Sequence, residues 1–216
     1  MEQFLAYPLR MIPYVAITLI FAFTFHEFAH AYVAYKFGDD TAKKQGRLTL
    51  NPIKHLDPFG TILILIAGFG WARPVPVNRF LFKKPRLAGI LVSVAGPLSN
   101  LVLSVIGFSV AYGLTRFGVT ASDNFYDFLE IFIQLNIVLF IFNLLPLPPL
   151  DGYRIVEDLA PNRLRAKMTQ FEQYGTLIFL IIVITPLSRF TIQPMFQVVI
   201  PWIWKLIGDF VYNLFF

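Results

Sequence analysis

Long apolar segments constrain this chain more than any other feature of its sequence. Runs poor in charge lie within residues 12–36, 87–117 and 125–145, and a helix needs about 20 apolar residues to cross the hydrocarbon core of a bilayer. Hydrophobic residues make up 56% of the 216 residues and charged residues only 14%, unlike an average soluble domain. The sequence therefore predicts an all-α polytopic membrane protein, folded as a single membrane-embedded domain over residues 1–216.

The basic residues cluster in the segments between the apolar runs. Lysines and arginines concentrate within residues 36–56, 73–86 and 154–167, and such loops usually stay on the cytoplasmic side. The net charge of +5 is thus a topology signal, and we expect a lipid bilayer rather than a nucleic acid as the partner of these charges. The small, multi-pass chain indicates a prokaryotic cytoplasmic membrane. The sequence leaves its oligomeric state open.

A shorter apolar run at residues 59–70 lies between two of these basic loops. About a dozen residues are too few for a span, so the run is predicted to be re-entrant. Residues 47–50 alternate between polar and apolar, and residues 61–70 are β-branched and flanked by glycine, which favours strands. We therefore expect a small β-like element within residues 46–70, whose edge could hold an extended peptide.

The C-terminal part of the chain allows two arrangements. Residues 174–186 and 190–204 are apolar and are interrupted by Ser188 and Arg189. They fit either a hairpin of two short helices or one span with an interfacial segment. The sequence predicts additional helices over about residues 172–216 without deciding between the two.

The motif HEFAH at residues 26–30 carries the strongest chemical signal. It places His26 and His30 at positions i and i+4 on one face of a predicted helix, where both can bind one Zn²⁺, with Glu27 beside them as a candidate general base. The alternative is a set of polar side chains that only satisfy one another in a helix bundle. Ionisable residues in a spanning helix are costly and normally functional, so a metal site is favoured.

Two histidines do not complete a catalytic zinc site, which has three protein ligands and one open position. The chain has no cysteine, so the third ligand should be His or a carboxylate. Asp151 follows three prolines that break the third apolar run, and it could point back to the histidines or simply cap a helix. Asp57 and Glu130 are weaker candidates, and His55 in a loop is expected to be structural or solvated.

Two asparagines are candidates for supporting roles. Asn143 lies at the broken end of the third apolar run, where its amide could bond a substrate backbone or a developing oxyanion. Hydrogen bonding between helices is the rival interpretation of Asn143. Asn100 follows the pair Gly96-Pro97, and packing is favoured over catalysis for it.

These motifs together resemble the paired signature of the site-2 protease family of intramembrane metalloproteases. The resemblance rests on HEFAH (26–30), NLLP (143–146) and PLDG (149–152), with GPLSN (96–100) and the loop GWARPVPVN (70–78) as further similarities, and it covers roughly residues 15–160. It implies a catalytic core of three transmembrane helices over about residues 12–160. It also implies one zinc ion bound by His26, His30 and Asp151, with Glu27 as the base.

The resemblance further implies a zinc-dependent endopeptidase that cleaves transmembrane segments of membrane proteins or peptides, with the site toward the cytoplasmic side. Two other classes remain as alternatives. A metal transporter could also place histidines and aspartate in spans, but the adjacent Glu27 would be of no use to it and no internal repeat is evident. A non-catalytic membrane scaffold derived from a protease would be expected to have lost one of the four site residues.

Overall fold

A computed structural model describes residues 6–68 and 70–216 of the chain. Within these residues, four helices are long and apolar enough to cross a membrane, and no β-strand occurs. The four are Leu9–Lys36, Pro85–Arg116, Asp123–Asn143 and Ser188–Phe215. The prediction of an all-α polytopic membrane protein is confirmed.

Three long helices form the centre of the molecule. In chain order the first five helices are α1 (Ile12–Lys36), α2 (Thr41–Lys44), α3 (Pro58–Ala67), α4 (Pro85–Arg116) and α5 (Asp123–Asn143). Helices α1, α4 and α5 pack against one another. Proline stands in the first turn of both α1 and α4, where its missing N–H costs nothing. Helix α1 ends where Gly38 adopts a φ of 104°.

The interface between these three helices contains polar as well as apolar side chains. Leu19 and Ile137 are buried with exposed fractions of 2% and 0%. Asn100 and Asn136 are also fully buried and join α4 to α5 through a hydrogen bond of 3.1 Å from Asn100 Nδ2 to Asn136 Oδ1. Small residues and buried amides are typical of helix contacts in membranes.

The expectation of a β-like element within residues 46–70 was wrong. Residues 58–67 form α3, with Asp57 as its N-cap accepting a 2.8 Å hydrogen bond from the Gly60 N–H and with Gly68 at φ 77° as its C-cap. Residues 46–57 contain turns and a 3₁₀ turn at Pro52–Lys54. A helix satisfies its own backbone hydrogen bonds at membrane depth, whereas an unpaired strand edge does not. This requirement outweighs the β preference of the isoleucines.

The remaining helices follow α5 directly. They are α6 (Asp151–Leu159), α7 (Asn162–Glu172), α8 (Gly175–Ile184), α9 (Ser188–Thr191) and α10 (Ile200–Phe215). The segment from Ser188 to Phe215 reaches the length of a span, while α8 is a short apolar helix. Helix α10 packs against α4, with the rings of Phe108 and Trp204 5.0 Å apart. The division of the chain into a single domain stays a prediction.

Candidate metal centre

Helix α1 places two imidazoles side by side inside the protein. His26 and His30 lie one turn apart and are 7% and 8% exposed. Their Nε2 atoms are 3.0 Å apart. The i, i+4 spacing brings both rings to the α4 side of α1, as expected for residues on one helical face.

Asp151, in the chain that follows α5, contacts both histidines. It is the first residue of α6, and its Oδ2 atom lies 3.2 Å from His26 Nε2 and 3.2 Å from His30 Nε2. The N-cap of α6 is Leu150 and not Asp151, so the interpretation as a simple helix cap does not describe it. The structure thus brings together the three residues that the sequence grouped as metal ligands.

The other ring nitrogen of each histidine has its own partner. His26 Nδ1 lies 2.7 Å from Asn100 Oδ1, and His30 Nδ1 lies 2.7 Å from the carbonyl oxygen of Val92. Asn100 Nδ2 donates to the Ala22 carbonyl and to Asn136, which fixes Oδ1 as the atom that faces His26. Both Nδ1 atoms must therefore carry the proton and donate it.

In the neutral imidazole, which is the form that binds metal, this tautomer leaves Nε2 unprotonated on each ring. Two nitrogen lone pairs and a carboxylate oxygen then face one another across about 3 Å, which is repulsive without a cation between them. Zinc bonds of about 2.0–2.2 Å in a tetrahedral site place neighbouring ligand atoms roughly 3.3 Å apart. The donor set and its spacing therefore fit one Zn²⁺ ion, and the contacts to Nδ1 are those that orient metal-binding histidines.

Gly96 of α4 leaves the space that the imidazoles occupy. A Cβ atom at this position would overlap the Nε2 atoms of both His26 and His30. The close approach of α4 to α1 at the site thus requires glycine. The motif GPLSN supported the resemblance to a family, but the sequence did not reveal that its glycine makes room for the imidazoles.

The carboxylate of Glu27 lies beside the cluster and is held by the loop that precedes α4. Glu27 is 7% exposed, and its Oε2 accepts a 2.8 Å hydrogen bond from the Val75 N–H. The same loop is tied to the chain at Arg73, whose N–H donates to the His55 carbonyl oxygen and whose carbonyl accepts from Arg47. An acceptor-only carboxylate oriented in this way suits a general base.

A second carboxylate anchors α6 and so fixes Asp151. Asp158 is 1% exposed, and its Oδ1 lies 2.7 Å from Arg79 Nη1 and 3.0 Å from Arg165 Nη2. Burial raises the pKa of Asp158, and the two guanidinium groups oppose that shift. Gly89 of α4 leaves room for the carboxylate, because a Cβ there would overlap it.

Two cavities are lined by residues that contact or neighbour the cluster residues. A polar cavity of about 670 Å³ extends to Val75 and Val92, the partners of Glu27 and His30. Its wall includes four arginines, Arg47, Arg73, Arg79 and Arg154. An apolar cavity of about 530 Å³ lies between α1, α3, α5 and α8 and reaches Phe23 and Phe142. One cavity offers a route for water, and the other is lined mainly by side chains compatible with lipid or an apolar helix.

The weaker candidates from the sequence lie outside the cluster. Asp57 caps α3, and Glu130 lines the apolar cavity. His55 is fully buried and donates from Nε2 to the Thr49 carbonyl over 2.7 Å, while burial lowers its pKa so that it is neutral at pH 7. The expectation that His55 is structural agrees with this position. Asn143 donates to the Leu139 carbonyl of its own helix.

Sequence reasoning missed several residues that shape the site. Asn136 orients Asn100, and the backbone of Val92 orients His30. Asn100 was a candidate for a supporting role with packing favoured over catalysis, and its side chain contacts the ring of His26. The available signal was an asparagine in each of two spans, Asn100 and Asn136, since polar residues in spans usually form hydrogen bonds with adjacent helices.

Comparison with known proteins agrees with this geometry. The chain is 66% identical over 202 residues to the protein named "Putative zinc metalloprotease YwhC" of Bacillus subtilis, covering 90% of this chain and 91% of that protein. Two proteins named "Putative zinc metalloprotease Rip2" are also similar. The one from Mycolicibacterium smegmatis is 36% identical over 168 residues (74% of this chain, 62% of that protein), and the one from Mycobacterium tuberculosis strain H37Rv is 32% identical over 197 residues (85% and 70%).

No solved structure matches the chain. The sequence model of peptidase family M50 matches residues 14–118 and 113–186. These matches include HEFAH, GPLSN and the segment that leads to Asp151. The prediction of zinc as the cofactor agrees with the names of the relatives and with the donor set of His26, His30 and Asp151. The chain therefore belongs to peptidase family M50, the site-2 protease family that its motifs resemble.

Proposed function

We propose that this chain is a zinc-dependent endopeptidase that hydrolyses a peptide bond within, or at the edge of, the transmembrane segment of another protein. One observation carries the proposal: His26, His30 and Asp151 come together in a chain with four helices that are long and apolar enough to span a membrane. An apolar cavity reaches Phe23, three residues before His26, and a polar cavity reaches Val75 and Val92, the partners of Glu27 and His30. Peptide hydrolysis in a membrane needs an apolar path for the substrate and a polar path for water.

His26, His30 and Asp151 would hold the zinc ion through two Nε2 atoms and one Oδ2 atom. Zinc in such a site supplies a Lewis acid and lowers the pKa of a water molecule toward about 7. Glu27 accepts a proton from the attacking water and delivers it to the departing amine, while the Val75 N–H holds its carboxylate in place. Asn100 and Val92 keep both imidazoles in the tautomer that binds metal.

Asn143 is proposed to contact the substrate. It is the last residue of α5 and follows Phe142, which lines the apolar cavity. Its amide nitrogen has two protons and uses one of them for the Leu139 carbonyl. The other proton can donate to a carbonyl oxygen of the substrate, including the oxygen on which negative charge develops during attack.

The site is proposed to face the cytoplasm. The loops nearest to it carry Arg47, Arg73 and Arg79, and basic loops are retained on the cytoplasmic side. On this orientation, water and the cleaved ends of the substrate communicate with the cytoplasm through the polar cavity.

A metal transporter and a non-catalytic scaffold fit the site less well. A transporter would not require a base adjacent to the first histidine, and a scaffold would not require the lone pairs of both rings to face a carboxylate. Both alternatives also predict a protein that does not cleave peptides.

The test separates metal binding from proteolysis. Glu27→Gln should keep one zinc per chain and lower the rate of cleavage of a membrane substrate in liposomes by more than about a thousandfold, because the base is lost. His26→Ala should lose both zinc and cleavage. Zinc content by mass spectrometry and initial cleavage rates are the two measurements.

Matched controls are available in the same chain. Asp40→Asn changes a carboxylate that pairs with Lys44 at the surface, and His55→Gln changes a histidine whose side chain bonds to the Thr49 carbonyl. Both should keep zinc and cleavage. Cleavage by purified Glu27→Gln at the rate of the unchanged protein would overturn the proposal.

A further inference from the structure

Helix α5 presents a row of polar side chains to the apolar cavity, at the end remote from the metal cluster. Asp127, Glu130 and Gln134 all line the cavity, and their spacing of three and four residues places them on one face of the helix. Glu130 and Gln134 are exposed and Asp127 is half-buried. The cavity therefore changes from acidic at this end to apolar toward Phe142.

The length of α5 would place these carboxylates inside its span rather than beyond it. Helix α5 has 21 residues, so its length of about 32 Å only just crosses a hydrocarbon core of roughly 30 Å. Glu130 is seven residues from the first residue of α5, about 10 Å along its axis. An ionisable residue at such a depth is costly, and it normally serves a function.

Neither carboxylate is neutralised within the part of the chain that the structure describes. No ion pair there includes Asp127 or Glu130. The carboxylate of Asp158, by contrast, pairs with Arg79 and Arg165. The acidic end of the cavity is thus a place where a positive charge from outside the chain would be stabilised.

The opposite end of the cavity leads toward the metal cluster. Phe23 of α1 lies three residues before His26, and Phe142 of α5 lies one residue before Asn143. The wall between the two ends consists mainly of apolar side chains such as Leu19, Leu135 and Leu139. A transmembrane segment that lies along this wall would touch the carboxylates at one end and approach the metal ligands at the other.

We propose that Asp127 and Glu130 select substrates that carry a lysine or arginine in the transmembrane segment, at a fixed distance from the bond that is cut. The inference rests on the proposed function and adds the class of substrate. The basic residue pairs with the carboxylates, and Gln134 supplies a further acceptor. Because the pairing is remote from the cluster, it sets the register of the segment along α5 and takes no part in the chemistry.

The length of α5 gives the expected distance between the basic residue of the substrate and the bond that is cut. Glu130 and Asn143 are 13 residues apart, about 20 Å along the helix axis. A fully helical substrate would therefore carry its basic residue about 13 residues from the cut bond. If several residues next to the bond are extended, at roughly 3.3 Å each, fewer residues cover the same length. The basic residue then lies about eight residues from the cut bond.

A lysine scan tests the register. A substrate with one leucine-rich span carries a single lysine at successive positions, and its cleavage by the full-length protein is measured in liposomes. The rate relative to the lysine-free substrate should peak at about fivefold or more when lysine lies roughly 8–13 residues from the cut bond, since opposite charges pair best there. The double variant Asp127→Asn/Glu130→Gln should reduce this ratio to about one.

A charge exchange shows whether the effect is direct. Glu130→Lys should prefer a substrate with glutamate at the peak position over one with lysine. Asp123→Asn is the matched control, because Asp123 is an acidic residue of the same helix that does not line the cavity. It should keep the lysine peak of the unchanged protein.

Binding supplies a readout that does not depend on hydrolysis. In the Glu27→Gln background, photo-crosslinking of the same substrates should show the same lysine peak, and adding Glu130→Gln should remove it. Equal rates and equal crosslinking for all lysine positions, or no change of preference in Glu130→Lys, would overturn the inference. Failure of the proposed function differs from this result: no substrate is cleaved, while lysine-dependent crosslinking persists.

Discussion

The two aspartates at opposite ends of helix α6 have different surroundings although they share a helix and are both well shielded from solvent. Asp151 faces the Nε2 atoms of two imidazoles whose Nδ1 protons are held by other partners, so that in the neutral rings both Nε2 atoms present lone pairs to it. Asp158 faces Arg79 and Arg165, whose guanidinium groups always donate. The carboxylate of Asp151 therefore needs a bound cation to balance its charge, whereas the charge of Asp158 is balanced by two arginines.

This difference suggests two roles: Asp151 binds the metal, and Asp158 positions the helix that carries Asp151. A metal site works only when its ligands are held within about half an ångström of their places. Asp158 ties the C-terminal part of α6 to the loop before α4 and to α7, and α6 in turn presents Asp151. Zinc affinity and thermal stability, measured on the same variants, can therefore distinguish the ligand from the anchor.

The largest effect on zinc affinity is expected for Asp151→Asn. The variant loses one of three ligands, and the affinity should fall by more than about a hundredfold. Thermal stability of the metal-free protein in detergent should change little, because with both imidazoles neutral the carboxylate has no hydrogen-bond donor to lose. Competition with a chelator measures the affinity.

Asp57→Asn is the control for Asp151→Asn. Asp57 was the alternative carboxylate ligand from the sequence, and it caps α3 instead. This control should retain zinc fully. Stoichiometric, tightly bound zinc in Asp151→Asn would contradict the assignment of the third ligand.

A smaller effect on zinc affinity is expected for Asn100→Ala. Its side chain holds the Nδ1 proton of His26, and loss of such a partner usually lowers metal affinity about 10- to 100-fold. Ser99→Ala is the neighbouring control, since Ser99 bonds only to the backbone of its own helix. An unchanged zinc affinity in Asn100→Ala would show that His26 needs no orienting partner.

The smallest effect on zinc affinity, and the largest on stability, is expected for Asp158→Asn. Removing a buried charge that pairs with two arginines should lower the free energy of unfolding by about 1–3 kcal/mol. Zinc affinity should fall by less than about tenfold, since all ligands remain. Thermal unfolding of the metal-free protein in detergent measures the first quantity.

Asp40→Asn provides the comparison for Asp158→Asn. Asp40 pairs with Lys44 in a solvent-exposed i, i+4 contact, which is worth at most about 0.5 kcal/mol. If Asp158→Asn were to remove zinc as completely as Asp151→Asn does, the distinction between ligand and anchor would be wrong.

The sequence was sufficient for the features that depend on local pattern. The first span was predicted at residues 12–36, the bounds that α1 has, and α5 differs from its predicted run by two residues at each end. The pairing of His26 with His30 followed from helical spacing. These features need no knowledge of which helices are neighbours.

Features that depend on contacts between segments far apart in the sequence could not be predicted from local patterns. The helix at residues 58–67 has a composition typical of strands, and its conformation follows from the Asp57 cap and from the backbone requirements of a membrane. The contact of Asn100 with His26 joins residues 74 positions apart. Asp151 was grouped with the histidines from the sequence and lies beside them, but its rival role as a helix cap could be set aside only with coordinates.

Gly96 gives the metal centre a dependence that a list of its ligands does not reveal. A single methyl group at this position would occupy the space where the two imidazole nitrogens meet. A related chain could thus retain all four reactive side chains and still be unable to hold a metal. For judging which relatives are active enzymes, the residue opposite the histidines on α4 is therefore as informative as the histidines themselves.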